Sequence, residues 1–461
     1  MSRRITIDPI TRLEGHGKIE ILLDADGCVE RTFFQVPDFK GFEKFCEGRP
    51  AEEMPTLTQK ICGVCPTAHH MASSKALDAL FGIEPTKTAV KVRELVHNAF
   101  VFEDHLLHFY FLGGPDFLAG PDASRSKRNF FGVAQEIGVE TAKRVIDVRK
   151  RVRQMNASVS GSALYPVFGL PGGISKTVTR GQAADIQKTA EEAVEMAKLS
   201  LSLFHEKVLR NSRYAGLFTD DAFCHRTYYM GLVDEAGRVN FYDGTIRVID
   251  PDGNEYAVFK PKDFAEHLEE QVVPWSYAKI LYLRNVGWRG LVDGNESGVY
   301  RVGPLARLNV STEMATASAQ TEYETMFDAL GGKPVHHTMA YHWARLIEAL
   351  YAAERMVELS RDEDLFHSDV RHIPEQVPIE GVGVCEAPRG TLFHHYRTNE
   401  QAIVEELNLL VATQNNAAAI SMSIEKAAKA FIKGHHISEG KLNRIEMAFR
   451  AYDPCLACAT H

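Results

Sequence analysis

Apolar residues recur at three- and four-residue spacing through about 66–82, 88–113, 134–159, 180–210, 339–361, 399–432 and 437–450, which predicts helices there. Residues 3–36 follow another rule. Lys18-Ile19-Glu20-Ile21-Leu22-Leu23 reads as a strand, Asp24-Ala25-Asp26-Gly27 supplies a turn, and Val29 to Val36 resumes the extended pattern. Val239 to Phe259 predicts a second β region, punctuated by Asp243-Gly244 and Asp252-Gly253. No internal repeat, low-complexity tract or Pro/Ser-rich linker breaks the sequence. The expected fold is mainly α with small attached β-sheets (α+β), formed as a single domain over 1–461.

Composition narrows the partners. An apolar fraction of 45% supports a sizeable core, and 52 Lys plus Arg against 61 Asp plus Glu leave a net charge of −9. That balance argues against nucleic acid or an anionic membrane as a main partner. The most apolar helix candidate, around Leu95 to Leu112, contains Glu103, Asp104 and several histidines, so no membrane insertion is expected. Met1-Ser2-Arg3-Arg4 is superficially like a twin-arginine export signal, but Asp8, Arg12 and Glu14 follow without an apolar stretch. The scattered cysteines Cys28, Cys46, Cys224 and Cys385 do not form a disulfide framework, and a reducing cytoplasm is the expected location.

The chemistry lies in two Cys-x-x-Cys pairs at opposite ends of the chain, Cys62/Cys65 and Cys455/Cys458. Three-residue spacing sets both sulfurs of a pair on one side of a turn or helix start, where amide N–H groups favour thiolate. Four such sulfurs suit a soft metal. Structural zinc is the common owner of such pairs, yet zinc sites usually close over roughly 10–30 residues, whereas 389 residues lie between Cys65 and Cys455. An iron–sulfur cluster is the other soft-metal choice on spacing alone.

The words around the pairs resemble the large, catalytic subunit of nickel–iron hydrogenases along essentially the whole chain. The matching segments run in order from Arg12-Leu13-Glu14-Gly15-His16-Gly17 through Gly41-Phe42-Glu43-Lys44, Ile61-Cys62-Gly63-Val64-Cys65 and Leu170-Pro171-Gly172-Gly173. Trp275-Ser276-Tyr277-Ala278-Lys279, Val302-Gly303-Pro304-Leu305-Ala306-Arg307, Glu386-Ala387-Pro388-Arg389-Gly390 and the terminal Asp453-Pro454-Cys455-x-x-Cys458-x-x-His461 complete them. Within the family, Gly41 to Arg49 and Gly390 to Tyr396 resemble the soluble NAD-coupled bidirectional group. Two departures stand out: Lys60 replaces the usual Arg before the first Cys, and Tyr165-Pro166 occupies a stretch where a His is commoner.

The resemblance implies the large helical core of that subunit type and reversible heterolytic cleavage of H2 at a nickel–iron centre. It makes Cys62 and Cys455 terminal nickel ligands, and Cys65 and Cys458 bridges between nickel and an iron carrying carbon monoxide and cyanide. Glu14 becomes the next proton carrier. Arg389 stands above the open position, with Asp104 and Asp453 as carboxylates around it. Glu43 and His461 match a second site, for Mg2+ or another divalent ion. His69 is expected near the centre, whereas the pairs His69-His70, His336-His337, His394-His395 and His435-His436 are poor chelates, since adjacent helical side chains point about 100° apart. The resemblance implies that an end at His461 is either the form left when a maturation protease trims a family precursor, the favoured reading, or a chain whose extension was never encoded.

With no G-x-G-x-x-G unit or Walker loop in the chain, the implied partners are a small iron–sulfur subunit with flavin and iron–sulfur diaphorase-type subunits beyond it. These would pass electrons to NAD(P) and possibly ferredoxin. The competing readings are a zinc-stapled structural protein and a non-catalytic electron-transfer scaffold related to the large subunit of respiratory complex I, which lacks the cysteine pairs.

Overall fold

The computed structural model describes residues 3–376, 379–434 and 437–461, so the His435-His436 expectation falls outside the described residues. Long helices form where the period is strongest: Pro66–Leu80, Lys87–Leu107, Val139–Ser160, Arg180–Phe204 and Ala340–Ser360. Local chemistry sets their ends. Thr86 Oγ1 accepts the Ala89 amide at 3.2 Å, and Thr179 with Gln182 forms a capping box. Ala340–Ser360 is buried on nearly every face and packs against Lys87–Leu107, Arg180–Phe204 and the Ala317–Ala329 helix. The expected helix over 134–159 is two helices, Phe130–Ile137 and Val139–Ser160, because Gly138 at φ +87° interrupts it. The helices expected over 88–113 and 180–210 end instead in π-turns, His108–Leu112 and His205–Leu209.

The N-terminal strands pair antiparallel as expected, Arg3–Ile7 with Lys18–Leu23 and the latter with Val29–Gln35. Asp252-Gly253 lies in the turn between Thr245–Ile249 and Glu255–Phe259, and Tyr228–Val233 joins them in a four-stranded sheet. The sheet the sequence period conceals is the central one: Glu380–Ala387, Gly390–Thr398 and Val404–Leu410. The helix expected over 399–432 is therefore corrected. Its first third is the third strand of this sheet, and helix appears only in Ala412–Asn415 and Ala417–Phe431.

Both faces of the first two strands are covered, which removes the alternation that marks a half-exposed strand. Pro66–Leu80 lies on one face. Gly381 and Gly383 admit it, since a Cβ at Gly381 would lie 2.6 Å from Leu80 Cα and one at Gly383 2.8 Å from the Lys75 carbonyl carbon. The opposite face packs Val384 and Phe393 against Phe264, Leu281 and Tyr300. This sandwich fixes the helix that follows Cys65 against the hairpin whose two-residue turn is Pro388-Arg389.

Candidate metal centre

Cys62 leaves a short 3-10 turn and Cys65 caps Pro66–Leu80, while Cys455 precedes the last helix, Leu456–Ala459. Several contacts pull the two ends of the chain together. The Glu14 carbonyl accepts the Leu456 amide at 2.9 Å, and Gly15, at φ +86°, allows the approach: a Cβ there would lie 2.8 Å from the Ala457 nitrogen. The Lys40 amide donates to Thr460 O at 3.2 Å and its ammonium to Ile61 O at 2.8 Å, so one residue ties both cysteine segments. Thr413 Oγ1 accepts the Cys455 amide at 2.9 Å.

The four sulfurs all lie within 4.8 Å of one another and are buried. Cys62–Cys455 and Cys65–Cys458 are each 3.3 Å apart, and Cys455–Cys458 are 2.8 Å apart, all as free thiols. Cys62 Sγ accepts the amides of Val64 at 3.2 Å and Cys65 at 3.1 Å. Burial opposes its anion, but hydrogen bonds from the other three thiols and the Cys65 amide outweigh that and hold Cys62 well below the usual thiol range. Cys455 and Cys458 go the other way. Burial comes first and donation to neighbouring sulfur adds to it, raising both. Cys65, which hydrogen bonds with Cys455 and Cys458 would lower, is raised overall by donation to Cys62 and by burial. Burial and mutual repulsion both oppose four thiolates in one enclosed cluster, so a full thiolate set calls for metal cations to balance it. Soft, anionic, enclosed donors of this kind fit nickel and iron.

Two clusters flank the sulfurs. Glu14 Oε2 accepts the Ala457 amide at 3.1 Å and stands 3.0 Å from Cys455 Sγ. Burial, and then the charge on Cys62, raise its carboxyl above the ordinary range, which suits a proton carrier. Arg389 meets Asp104 Oδ2 at 3.2 Å and Asp453 Oδ2 at 2.9 Å, with all three residues buried. Burial raises both carboxyls, while Arg389 pulls each back. Arg389 Nε has no hydrogen-bond partner among the described residues, so one buried donor is left over in this cluster.

At the C-terminus, His461 Nε2 lies 3.3 Å from Glu43 Oε1, which also accepts the Leu409 amide at 2.9 Å. His461 Nδ1 is 2.9 Å from the Cys458 carbonyl and must donate to it. A neutral His461 then points a lone pair at a carboxylate, an arrangement that calls for a proton or a cation between them. Burial works against the Glu43 anion, but His461 and the Leu409 amide hold its carboxyl low. These two residues suit a divalent ion completed by water.

The structure thus gathers all ten residues singled out in the sequence around one centre. It also adds residues the sequence reading did not name. Besides Lys40 and Thr413, Asn416 Nδ2 donates to Arg389 O at 3.3 Å. His69, which the sequence did single out, has Nδ1 3.1 Å from His394 Nε2, the contact continuing through Tyr396 to Ser73, and its Nε2 has no partner among the described residues. The two departures prove to be neighbours, with Lys60 Nζ over the Tyr165 ring at 3.5 Å. Three other paired histidines serve locally: His70 bridges Pro55 O and Gly169 N, His336 bridges Tyr229 and Pro251 O, and His395 meets Glu380.

Four buried cysteines beside the Glu14 carboxyl and a caged arginine make a candidate soft-metal centre with groups able to handle protons at its edge. Comparison with known proteins specifies it. The family model described as nickel-dependent hydrogenase matches residues 40–169 and 295–461, and a second, described as HoxL-like, matches residues 4–39. The chain is 46% identical over 460 residues to an F420-non-reducing hydrogenase iron-sulfur subunit of Archaeoglobus profundus, covering 100% of this chain and 94% of that protein. It is 36% identical over 476 residues to the NAD-reducing hydrogenase HoxS subunit beta of Cupriavidus necator, covering 100% and 95%. A crystal structure of an NAD+-reducing NiFe-hydrogenase in the H2-reduced state superposes with a TM-score of 0.93 at 38% identity, covering 100% of this chain and 99% of that one. This chain belongs to the nickel-dependent hydrogenase family, as a large subunit, and is an oxidoreductase acting on H2.

Proposed function

We propose that this chain holds the nickel–iron centre of a multi-subunit hydrogenase, with Cys62 and Cys455 on nickel and Cys65 and Cys458 shared with iron. The observation that carries the reading is the buried four-sulfur cluster. When bound, the metals supply the Lewis acidity and electron capacity for heterolytic H2 cleavage, with carbon monoxide and cyanide completing the iron. The chain's own residues do the rest. Glu14 Oε2 takes the proton beside Cys455 and passes it outward. Arg389, held between Asp104 and Asp453, presents a fixed positive charge to the substrate position. Glu43 and His461 hold a hard divalent ion, Mg2+ in the first instance, that keeps the C-terminal segment closed over the sulfurs.

Electrons leave through another polypeptide, a small iron–sulfur subunit, because the remaining cysteines form no second cluster among the described residues. Diaphorase-type flavin subunits reducing NAD(P), with ferredoxin as a further acceptor, complete the proposal; of these acceptors only NAD is supported by the likeness to the NAD-reducing relatives. Among the described residues no helix is long and apolar enough to cross a membrane. We place the complex in the cytoplasm. The test is H2-driven reduction, by the complex purified with its partner subunits, of an artificial dye and then of NAD+, NADP+ or ferredoxin, with infrared bands for metal-bound carbon monoxide and cyanide. Dye reduction without those bands refutes the iron assignment, and dye reduction without NAD(P)+ reduction refutes the acceptor.

A further inference from the structure

Arg307 lies in the Pro304–Val310 helix with a side chain fully removed from solvent. All five of its N–H groups have distinct acceptors. Nε donates to Glu348 Oε1 and Nη2 to Glu348 Oε2, both at 2.6 Å; Nη1 donates to Glu386 Oε2 at 2.6 Å. The last two reach the backbone, Nη1 to Ala387 O at 3.0 Å and Nη2 to Pro388 O at 3.2 Å. Those carbonyls belong to the two residues immediately before Arg389, at the tip of the hairpin.

The same cation acts on the other side of Arg389. Glu348 Oε2 also accepts from His105 Nε2 at 2.9 Å, and His105 follows Asp104, the carboxylate that meets Arg389. Glu386 is anchored in turn by the Leu232 amide at 2.9 Å and Thr391 Oγ1 at 2.8 Å. Two carboxyl groups and one guanidinium are thus removed from water together, which costs desolvation. Apolar side chains could fill the space without this electrostatic demand, so the arrangement is explained by what the guanidinium fork holds in place.

Resting on the role given above to Arg389, we propose that Arg307 is the positioning residue that sets the reach of Arg389, clamping the hairpin tip directly and Asp104 through Glu348 and His105. Lysine keeps the charge but offers three donors from one point, so it cannot hold two carboxylates and two carbonyls at once. A misplacement of this kind near the reacting atoms lowers rate steeply.

The test is a double-mutant cycle in the assembled hydrogenase, combining Arg307→Lys with Arg389→Lys, with kcat and KM for H2 measured separately and nickel and iron quantified. Arg307→Lys is expected to lower kcat roughly 10- to 100-fold with metals retained. In the Arg389→Lys background the same change is expected to cost less than about twofold, since the residue it positions is already compromised. Amide hydrogen exchange across Ala387 to Gly390 is expected to rise in Arg307→Lys, with the Arg180–Phe204 helix unchanged. Glu348→Gln, which alters the fork without removing it, is read the same way if Arg307→Lys fails to fold. Equal fold losses in both backgrounds, or unaltered exchange at the hairpin tip, overturn the positioning role while leaving Arg389 in place. Unchanged turnover in Arg389→Lys alone overturns the role of Arg389 and the inference with it.

Discussion

Replacing Glu14 by glutamine separates holding the chain together from moving protons. The carboxylate accepts the Ala457 amide at 3.1 Å and faces Cys455 Sγ at 3.0 Å, and the Glu14 backbone carbonyl holds Leu456. Glutamine keeps the volume, the backbone contact and an oxygen for Ala457. The loss is a charge-assisted hydrogen bond turned neutral, about 1 kcal/mol. Against an unfolding free energy on the order of 5–15 kcal/mol that is minor, and the melting temperature should move by less than about 4 °C. Removing a positioned general acid–base group, by contrast, costs about 10²–10⁴ in rate, or roughly 3–5 kcal/mol of barrier. Glu14→Gln should therefore retain nickel and iron and fold normally, yet lose net H2 oxidation and the exchange of D2-derived protons with solvent. Dye reduction under H2, isotope exchange by mass spectrometry and metal analysis read these three quantities. Turnover within about twofold of the parent would refute the reasoning and make Glu14 a structural tie between the chain ends.

Three further outcomes follow from the same geometry. Cys65→Ser and Cys458→Ser should each abolish iron retention and activity, because a hydroxyl is a poor substitute for a bridging thiolate; metal analysis after gel filtration checks this. Glu43→Ala, or deletion of His461, should lower nickel content although neither residue is placed on nickel, because the tail is no longer tied down; normal loading in both would remove the second ion site. His70 is held down to about 4 by burial, against the Pro55 carbonyl, and its Nε2 accepts the Gly169 amide at 3.0 Å. Its lowered value means stability present above about pH 6.5 and lost as pH falls toward 4, at about 1.4 kcal/mol per unit. The stability gap between parent and His70→Gln in denaturant titrations should narrow by that amount per pH unit, and a constant gap would contradict it.

The sequence made the long helices plain because each buries a stripe, or in Ala340–Ser360 nearly every face, over many turns. It hid the central sheet for the opposite reason. Thr391 to Tyr396 and Val382 to Ala387 are enclosed on both faces, so no two-residue alternation appears, and Glu405-Glu406 before Leu407 passes for a helical surface. At the centre, cysteine spacing alone announced a soft metal, whereas Glu14, Arg389, Asp104 and Asp453 emerged only through the words around them. Lys40, Thr413 and Asn416 carry no local signal. Each acts through hydrogen bonds to segments remote in sequence, and Thr413 reaches Cys455 only after the chain turns back on itself. Arg307 sat inside a recognised segment, but its five acceptors come from Glu348, Glu386, Ala387 and Pro388, which no one-dimensional pattern brings together.

The central claim is that four thiolates from opposite ends of this chain hold a nickel–iron centre. Elemental analysis of the complex purified under exclusion of oxygen tests it most directly, with the Cys62→Ser and Cys455→Ser forms as controls. The account predicts nickel bound to this chain together with iron beyond the content of the partner's clusters, both lost from the controls. Stoichiometric zinc in their place, or nickel that persists without Cys62 and Cys455, would contradict it.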